Sequence, residues 1–281
     1  MRVYLRLGRV SNLPTVWSNA LVGLLLASGA WDPMRAVYLA ATMSLFYVGG
    51  MFLNDAFDGK IDARERPERP IPSGLITARE VFAIGFGLLG AGEAALWFLG
   101  GVPAALAGLA LGGAIVLYNA WHKGKALSPL LMGACRVLVY VSAAYGARSE
   151  PGRTLLVACA VLLSYLIGLT YVAKQENLTE FRNLWPLLFL FAPFAVGARA
   201  FGSGALVPLL YVAFLGWVLY AVSLLRRRKP GNIPRAVVSL IAGISLSDAM
   251  LLAACGHTRA AALAVACFFA TLFLQRFVSG T

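Results

Sequence analysis

Three aspartates, Asp55, Asp58 and Asp62, stand at i, i+3 and i+7 directly after Asn54. On a helix they share one face within two turns. Carboxylates held so close repel one another, and a hard divalent cation such as Mg²⁺ relieves the repulsion, because carboxylate oxygens are its preferred ligands. Arg64, Arg66 and Arg69 follow at once, and the planar guanidinium fork matches phosphate oxygens. Acids, a metal and arginines together point to a diphosphate site. The alternative is a polar loop that caps a helix, but a cap needs only one acid.

The elements that must position these groups are membrane helices. The chain has 281 residues, 60% hydrophobic and 13% charged, with a mean hydropathy of +0.77, a balance foreign to ordinary soluble domains. Apolar segments long enough to cross a ~30 Å hydrocarbon core recur at 12–30, 35–57, 78–99, 103–121, 127–147, 153–175, 183–201, 205–225, 234–254 and 258–277. Backbone groups in lipid must be satisfied within the segment, so each is expected to be a helix. The expected fold class is therefore an all-α integral membrane protein, one domain over 1–281 with nine or ten transmembrane helices. With nine, the last segment lies along the interface.

Charge gives the orientation. Of the 24 Lys and Arg, only Arg35, Arg148, Arg153, Arg199 and Arg259 fall on one side of this arrangement; Arg136 lies within a span and the rest fall on the other side. The positive-inside rule makes that richer side cytoplasmic, with the N-terminus and the aspartates on it. The expected location is the cytoplasmic (inner) membrane. The net charge of +12 sits between spans, so lipid headgroups and a phosphorylated substrate are the expected partners and nucleic acid is not. No cleavable signal peptide is expected, since Arg2, Arg6 and Arg9 lead into a full-length first segment. Cys135, Cys159, Cys255 and Cys267 lie in apolar stretches without CxxC spacing, as small hydrophobes do.

The run Asn54-Asp55-Ala-Phe-Asp58-Gly-Lys-Ile-Asp62, with its loop closing on Arg69-Pro70-Ile-Pro72-Ser73-Gly74, resembles the motif of the UbiA-type intramembrane prenyltransferases. There NDxxDxxxD closes the second helix and the loop ends in RPxxSG; the loop length and ending look most like the chlorophyll-synthase and archaeal lipid branch. The resemblance implies a helical bundle around a central cavity, in which Mg²⁺ grips an isoprenyl diphosphate. The diphosphate ionises and the allylic carbon joins a hydrophobic or aromatic acceptor. Carried onto this chain, it implies that Asp55, Asp58 and Asp62 hold the metal with Asn54 assisting. It places the diphosphate on Arg66, Arg69, Lys174 and Lys123, the last in Tyr118-Asn119-Ala-Trp-His122-Lys123-Gly-Lys125.

The second motif of such proteins, of the form KDxxDxxxD after the sixth helix, departs from the pattern here. Matching Lys174 to its lysine puts Gln175, Leu178 and Arg182 at the acidic positions. Glu176 and Glu180, one turn apart, offer a substitute metal-binding pair, the alternative being a solvated helix end with Lys174 as its partner. With Gly133-Ala-Cys135-Arg136, this departure resembles the divergent branch called EboC-like. It also keeps open a different class of function, a non-catalytic membrane protein that binds or carries a polyprenyl or lipid-linked metabolite. An ion-coupled transporter is less well supported, because its acids belong at the midplane and these cluster at one surface.

Three charges fall inside spans: Glu93, Arg136 and Asp248. An ionised group mid-bilayer costs at least ~2.5–3.5 kcal/mol on insertion scales, so each should face the interior with a partner. Arg136 with Glu93 or Asp248 is the expected pair, serving either structure or the acceptor site. His122 and His257 sit at helix ends. Gly85, Gly87, Gly90 and Gly92 are expected to permit close helix packing.

Overall fold

The computed structural model describes residues 2–121, 125, 127–174, 185–199, 204–227, 231–278 and 280, with helices and no strands among them. A short α1 (Arg2–Leu7) and a 3₁₀ turn (Val10–Asn12) precede α2 (Leu13–Ser28), α3 (Pro33–Glu65), α4 (Ala78–Trp121), α5 (Ser128–Gly146) and α6 (Arg153–Lys174). A 3₁₀ segment (Trp185–Phe191) runs into α7 (Ala192–Arg199), followed by α8 (Leu206–Arg227), α9 (Asn232–Ala254) and α10 (Thr258–Leu274). Seven helices are long and apolar enough to cross a membrane, and two shorter apolar ones accompany them. This is a multi-pass membrane bundle.

Local chemistry sets the boundaries. The Asp32 carboxylate accepts a hydrogen bond from the Arg35 amide at 3.0 Å, with Pro33 in the first turn, so α3 starts there. α2 stops at Gly29, whose φ of 67° places it in the left-handed region that ends many helices. α3 does not stop near residue 57, as its apolar run suggests, but continues to Glu65. All four motif residues are therefore helical.

The 44 residues of α4 would extend ~66 Å if straight, about twice the ~30 Å hydrocarbon thickness. Gly101, at φ 69° and ψ −151°, folds them into a hairpin. Phe46 of α3 consequently faces Gly92 on one arm and Gly112 on the other. The 15 residues from Trp185 to Arg199 still reach roughly 26 Å, because the 3₁₀ part rises ~2 Å per residue.

Two hydrogen bonds join the start of α2 to the stretch after α10. The Asn12 side chain donates to the Gly280 carbonyl at 2.9 Å, and Gln275 donates to Asn12 at 3.0 Å. Asn12, Gln275 and Gly280 therefore lie on the same side of the bundle. Among the described residues, α10 packs alongside α2 and α9.

Close approaches among helices rest on particular glycines. A Cβ at Gly49 would meet the Gly85 carbonyl at 2.8 Å, and one at Gly85 would meet Leu53 at the same distance. Gly92 faces Phe46 in the same way. Gly87 and Gly90, expected to share this role, have nothing within 4 Å; they lie on the far side of the helix.

Candidate functional site

The polar end of α3 is buried: Asn54, Asp55, Asp58 and Asp62 are each at most 8% exposed. What covers them is the following loop and the segment before α2. Pro70 through Leu75 form tight turns, with Ser73 N–H donating to Arg69 O at 3.0 Å and Leu75 N–H to Pro70 O at 3.0 Å. Gly74 at φ 75° supplies the left-handed residue that this reversal needs. A small satellite core of Leu7, Phe52, Ala56, Ile76 and Val81 clamps α1, α3 and the loop together. The loop backbone is thereby fixed, and it aims Arg69 back at the acids.

The Arg69 guanidinium bridges two acids. Its Nη1 lies 2.9 Å from Asp62 Oδ2 and 3.2 Å from Asp55 Oδ1. Arg9 approaches from the other side, with Nη2 at 3.6 Å from Asp55 Oδ1 and 3.3 Å from Asn54 Oδ1. Arg9 holds a left-handed backbone (φ 41°), a conformation that costs a non-glycine residue of order 1 kcal/mol and turns the chain toward the acids. Asn54 in turn donates to Asn119 Oδ1 at 3.1 Å, and Asn119 donates to the Gly50 carbonyl at 3.0 Å. The amide of Asn54 is thus locked between α4 and Arg9.

Arg9, Arg66 and Arg69 line a cavity of about 250 Å³ whose remaining wall is mainly apolar, from Met51, Met132, Leu166, Leu169, Val237, Ile241 and Ile244. A smaller hollow of about 60 Å³ adjoins it; Tyr47, Met51, Tyr118, Met132 and Arg136 border both. Hard carboxylate oxygens beside phosphate-shaped cations, next to an apolar chamber, form a suitable donor set for a magnesium–diphosphate head with a greasy tail. Among the described residues no three acids, histidines or cysteines converge on one point; Arg69 stands between Asp55 and Asp62.

Several expected site residues lie elsewhere. Lys174 donates to the Lys125 carbonyl at 3.0 Å and is not part of the cavity wall. Lys125 lies over the Trp121 ring, 5.5 Å from its centroid. Lys123, His122, Glu176 and Glu180 fall outside the described residues, as do Gln175, Leu178 and Arg182. The expected pairing of Arg136 is corrected. Arg136 touches neither Glu93 nor Asp248; its Nη1 donates to Asn19 Oδ1 at 3.0 Å. The amide of Asn19 then donates to Asp248 Oδ2 at 2.8 Å, so a neutral side chain separates cation from anion. Glu93 lies against Gly108 on the opposite arm of the α4 hairpin, and its Oε2 is buried without a hydrogen-bond partner among the described residues.

Sequence reasoning missed Arg9, Asn119 and the Asn19 bridge. Arg9 was read for topology alone. Its lone signal was a third arginine just before an apolar segment, and topology accounts for that equally well.

The profile of the UbiA prenyltransferase family matches residues 16–244. Digeranylgeranylglyceryl phosphate synthase of Methanopyrus kandleri is 28% identical over 264 residues, covering 87% of this chain and 88% of that one. Among solved structures, the apo form of a UbiA homologue from Aeropyrum pernix superposes with a TM-score of 0.69 at 17% identity, over 87% of this chain and 97% of that chain. A UbiA homologue from Archaeoglobus fulgidus bound to GPP and Mg²⁺ superposes with a TM-score of 0.58 at 15% identity, over 89% of this chain and 99% of that chain.

Proposed function

The chain belongs to the UbiA prenyltransferase family, and from that membership we propose that it transfers an isoprenyl group from its diphosphate to a hydrophobic or aromatic acceptor in the same cavity. The observation that carries this reading is the meeting of four groups at one end of the bundle. Asp55 of α3 touches Arg9 and Arg69, Asp62 touches Arg69, and the two arginines share a mainly apolar chamber with Arg66. The lysine and arginine bias supports a cytoplasmic position for this end and for the N-terminus, in the inner membrane.

Asn54, Asp55, Asp58 and Asp62 would hold Mg²⁺, with Glu176 and Glu180 completing the set. When bound, the ion supplies charge neutralisation to the departing diphosphate. Arg66 and Arg69 take phosphate oxygens through charge-assisted hydrogen bonds, with Lys123 and Lys174 as further candidate cations. Met51, Leu166, Leu169 and Ile241 wall the chamber and keep water from the allylic carbocation.

Turnover decides between this reading and a carrier, which the altered second motif favours. The purified protein in lipid nanodiscs is given geranylgeranyl diphosphate, Mg²⁺ and a panel of acceptors. Acceptor-dependent diphosphate release is expected, and Asp58→Ala is expected to lose both release and Mg²⁺-dependent binding. Tight binding with no release across the panel favours the carrier. Unchanged binding in Asp58→Ala removes the site.

A further inference from the structure

Arg136 is a buried cation without an anion in contact. The residue is 8% exposed, and among the described residues no carboxylate oxygen comes within 4.0 Å of its nitrogens. Burying a guanidinium is costly unless it is paired or fully hydrogen-bonded. The protein meets part of that cost with neutral groups: Asn19 Oδ1 at 3.0 Å, Thr15 Oγ1 at 3.1 Å and the Tyr47 ring, 5.4 Å away at its centroid.

The nearest negative charge is occupied. Asp248, fully buried, accepts from Ser18 at 2.6 Å, from Asn19 at 2.8 Å and from the Tyr140 hydroxyl. These donors take three of its roughly four acceptor sites, and the Asn19 amide stands between the carboxylate and Arg136. The arrangement holds the guanidinium rigidly and leaves its positive charge available.

That charge faces open space. Arg136 borders both hollows, the larger one shared with Arg9, Arg66 and Arg69, and the smaller one walled by Val16, Phe46, Leu111 and Ile115. Its partners Thr15 and Asn19 lie roughly two to three turns along the chain from Arg9, or about 10–15 Å. One chamber therefore has two cationic positions, a cluster at the mouth and a single arginine further in beside an apolar recess.

Resting on the prenyltransferase reading, we propose that Arg136 recognises an oxyanion, carboxylate or phosphate, on the head of the acceptor. The apolar recess takes part of the acceptor's body, while the mouth takes the diphosphate donor. Asn19 and Asp248 act as positioning residues for that guanidinium.

The test uses the full chain in nanodiscs and two probes of equal shape, 4-octylbenzoate and the neutral 4-octylbenzamide, with binding read by calorimetry. The wild type should prefer the carboxylate by about tenfold or more. Arg136→Gln should remove that preference and Arg136→Lys should retain part of it. In both variants Mg²⁺-dependent binding of geranylgeranyl diphosphate should change less than about twofold. Equal binding of the two probes by the wild type overturns the proposal without any variant, so a misfolded Arg136→Gln leaves it testable. A preference that survives in folded Arg136→Gln also overturns it. Failure to bind geranylgeranyl diphosphate, with the carboxylate preference intact, counts against the prenyltransferase reading and leaves the oxyanion site standing.

Discussion

Arg69 donates to Asp62 at 2.9 Å, across the junction where α3 gives way to its loop. Because the same Nη1 also reaches Asp55, a loop residue neutralises two acids that lie seven positions apart on the helix. The guanidinium stands where a bound cation would otherwise relieve their repulsion, and it also borders the chamber proposed to receive the diphosphate.

Arg69→Gln should therefore make the protein lean more heavily on metal. Breaking a buried pair costs ~3–5 kcal/mol, and partial exposure of the Arg69 side chain (18%) argues for roughly a third of that. The variant should melt at a lower temperature without Mg²⁺, and added Mg²⁺ should raise its Tm by more than it raises the wild type's. Equal Mg²⁺ shifts in the two proteins would contradict the shared position.

Arg66→Ala and Lys174→Ala should separate. Arg66 borders the chamber, and loss of a charge-assisted contact to phosphate should raise the KM for the isoprenyl diphosphate about tenfold or more. Lys174 is engaged with a backbone carbonyl, so its removal should change KM less than threefold. Steady-state kinetics with varied donor checks both.

Asp248→Ala should be severe. It strips the acceptor from Asn19 and Tyr140 at once, leaving two donors unsatisfied in the bundle interior at ~1–3 kcal/mol for each, while Ser18 can still turn to Thr15 O or Ser245 Oγ. Unfolding in detergent should move to markedly lower denaturant, and Asp248→Asn should recover part of the loss.

Gly85→Leu and Gly87→Leu test the packing of α3 on α4. The first forces side-chain atoms onto Leu53 and the Gly49 carbonyl, and the second enters open space. Overpacking of this kind costs ~1–3 kcal/mol, so the first should lower Tm by several degrees and the second should leave it close to wild type.

Much of this protein is legible locally. The i, i+3, i+7 aspartates are assigned to one face by helical period alone, and the structure keeps all of them helical and buried. Hydropathy locates the long apolar helices because the bilayer sets a minimum length for a crossing segment. The gap between the segments 78–99 and 103–121 is where the structure places a non-helical residue, Gly101. The four glycines between 85 and 92 show the limit: Gly85 and Gly92, seven apart, face α3, whereas Gly87 and Gly90 point away. Spacing identifies a stripe but does not say which stripe meets a neighbour.

The amino-acid sequence by itself determined the membrane bundle, its likeness to one family, and the acids and arginines of one end. Those properties follow from hydrophobic length, helical period and residue type, all of which act within a few turns. Only the tertiary structure decided that Arg9 joins Asp55 across 46 positions, that Lys174 turns away, and that Arg136 meets Asn19 in place of a carboxylate. Long-range pairing depends on how helices rotate and cross. That is set by the packing of whole faces, and no short stretch of chain encodes it.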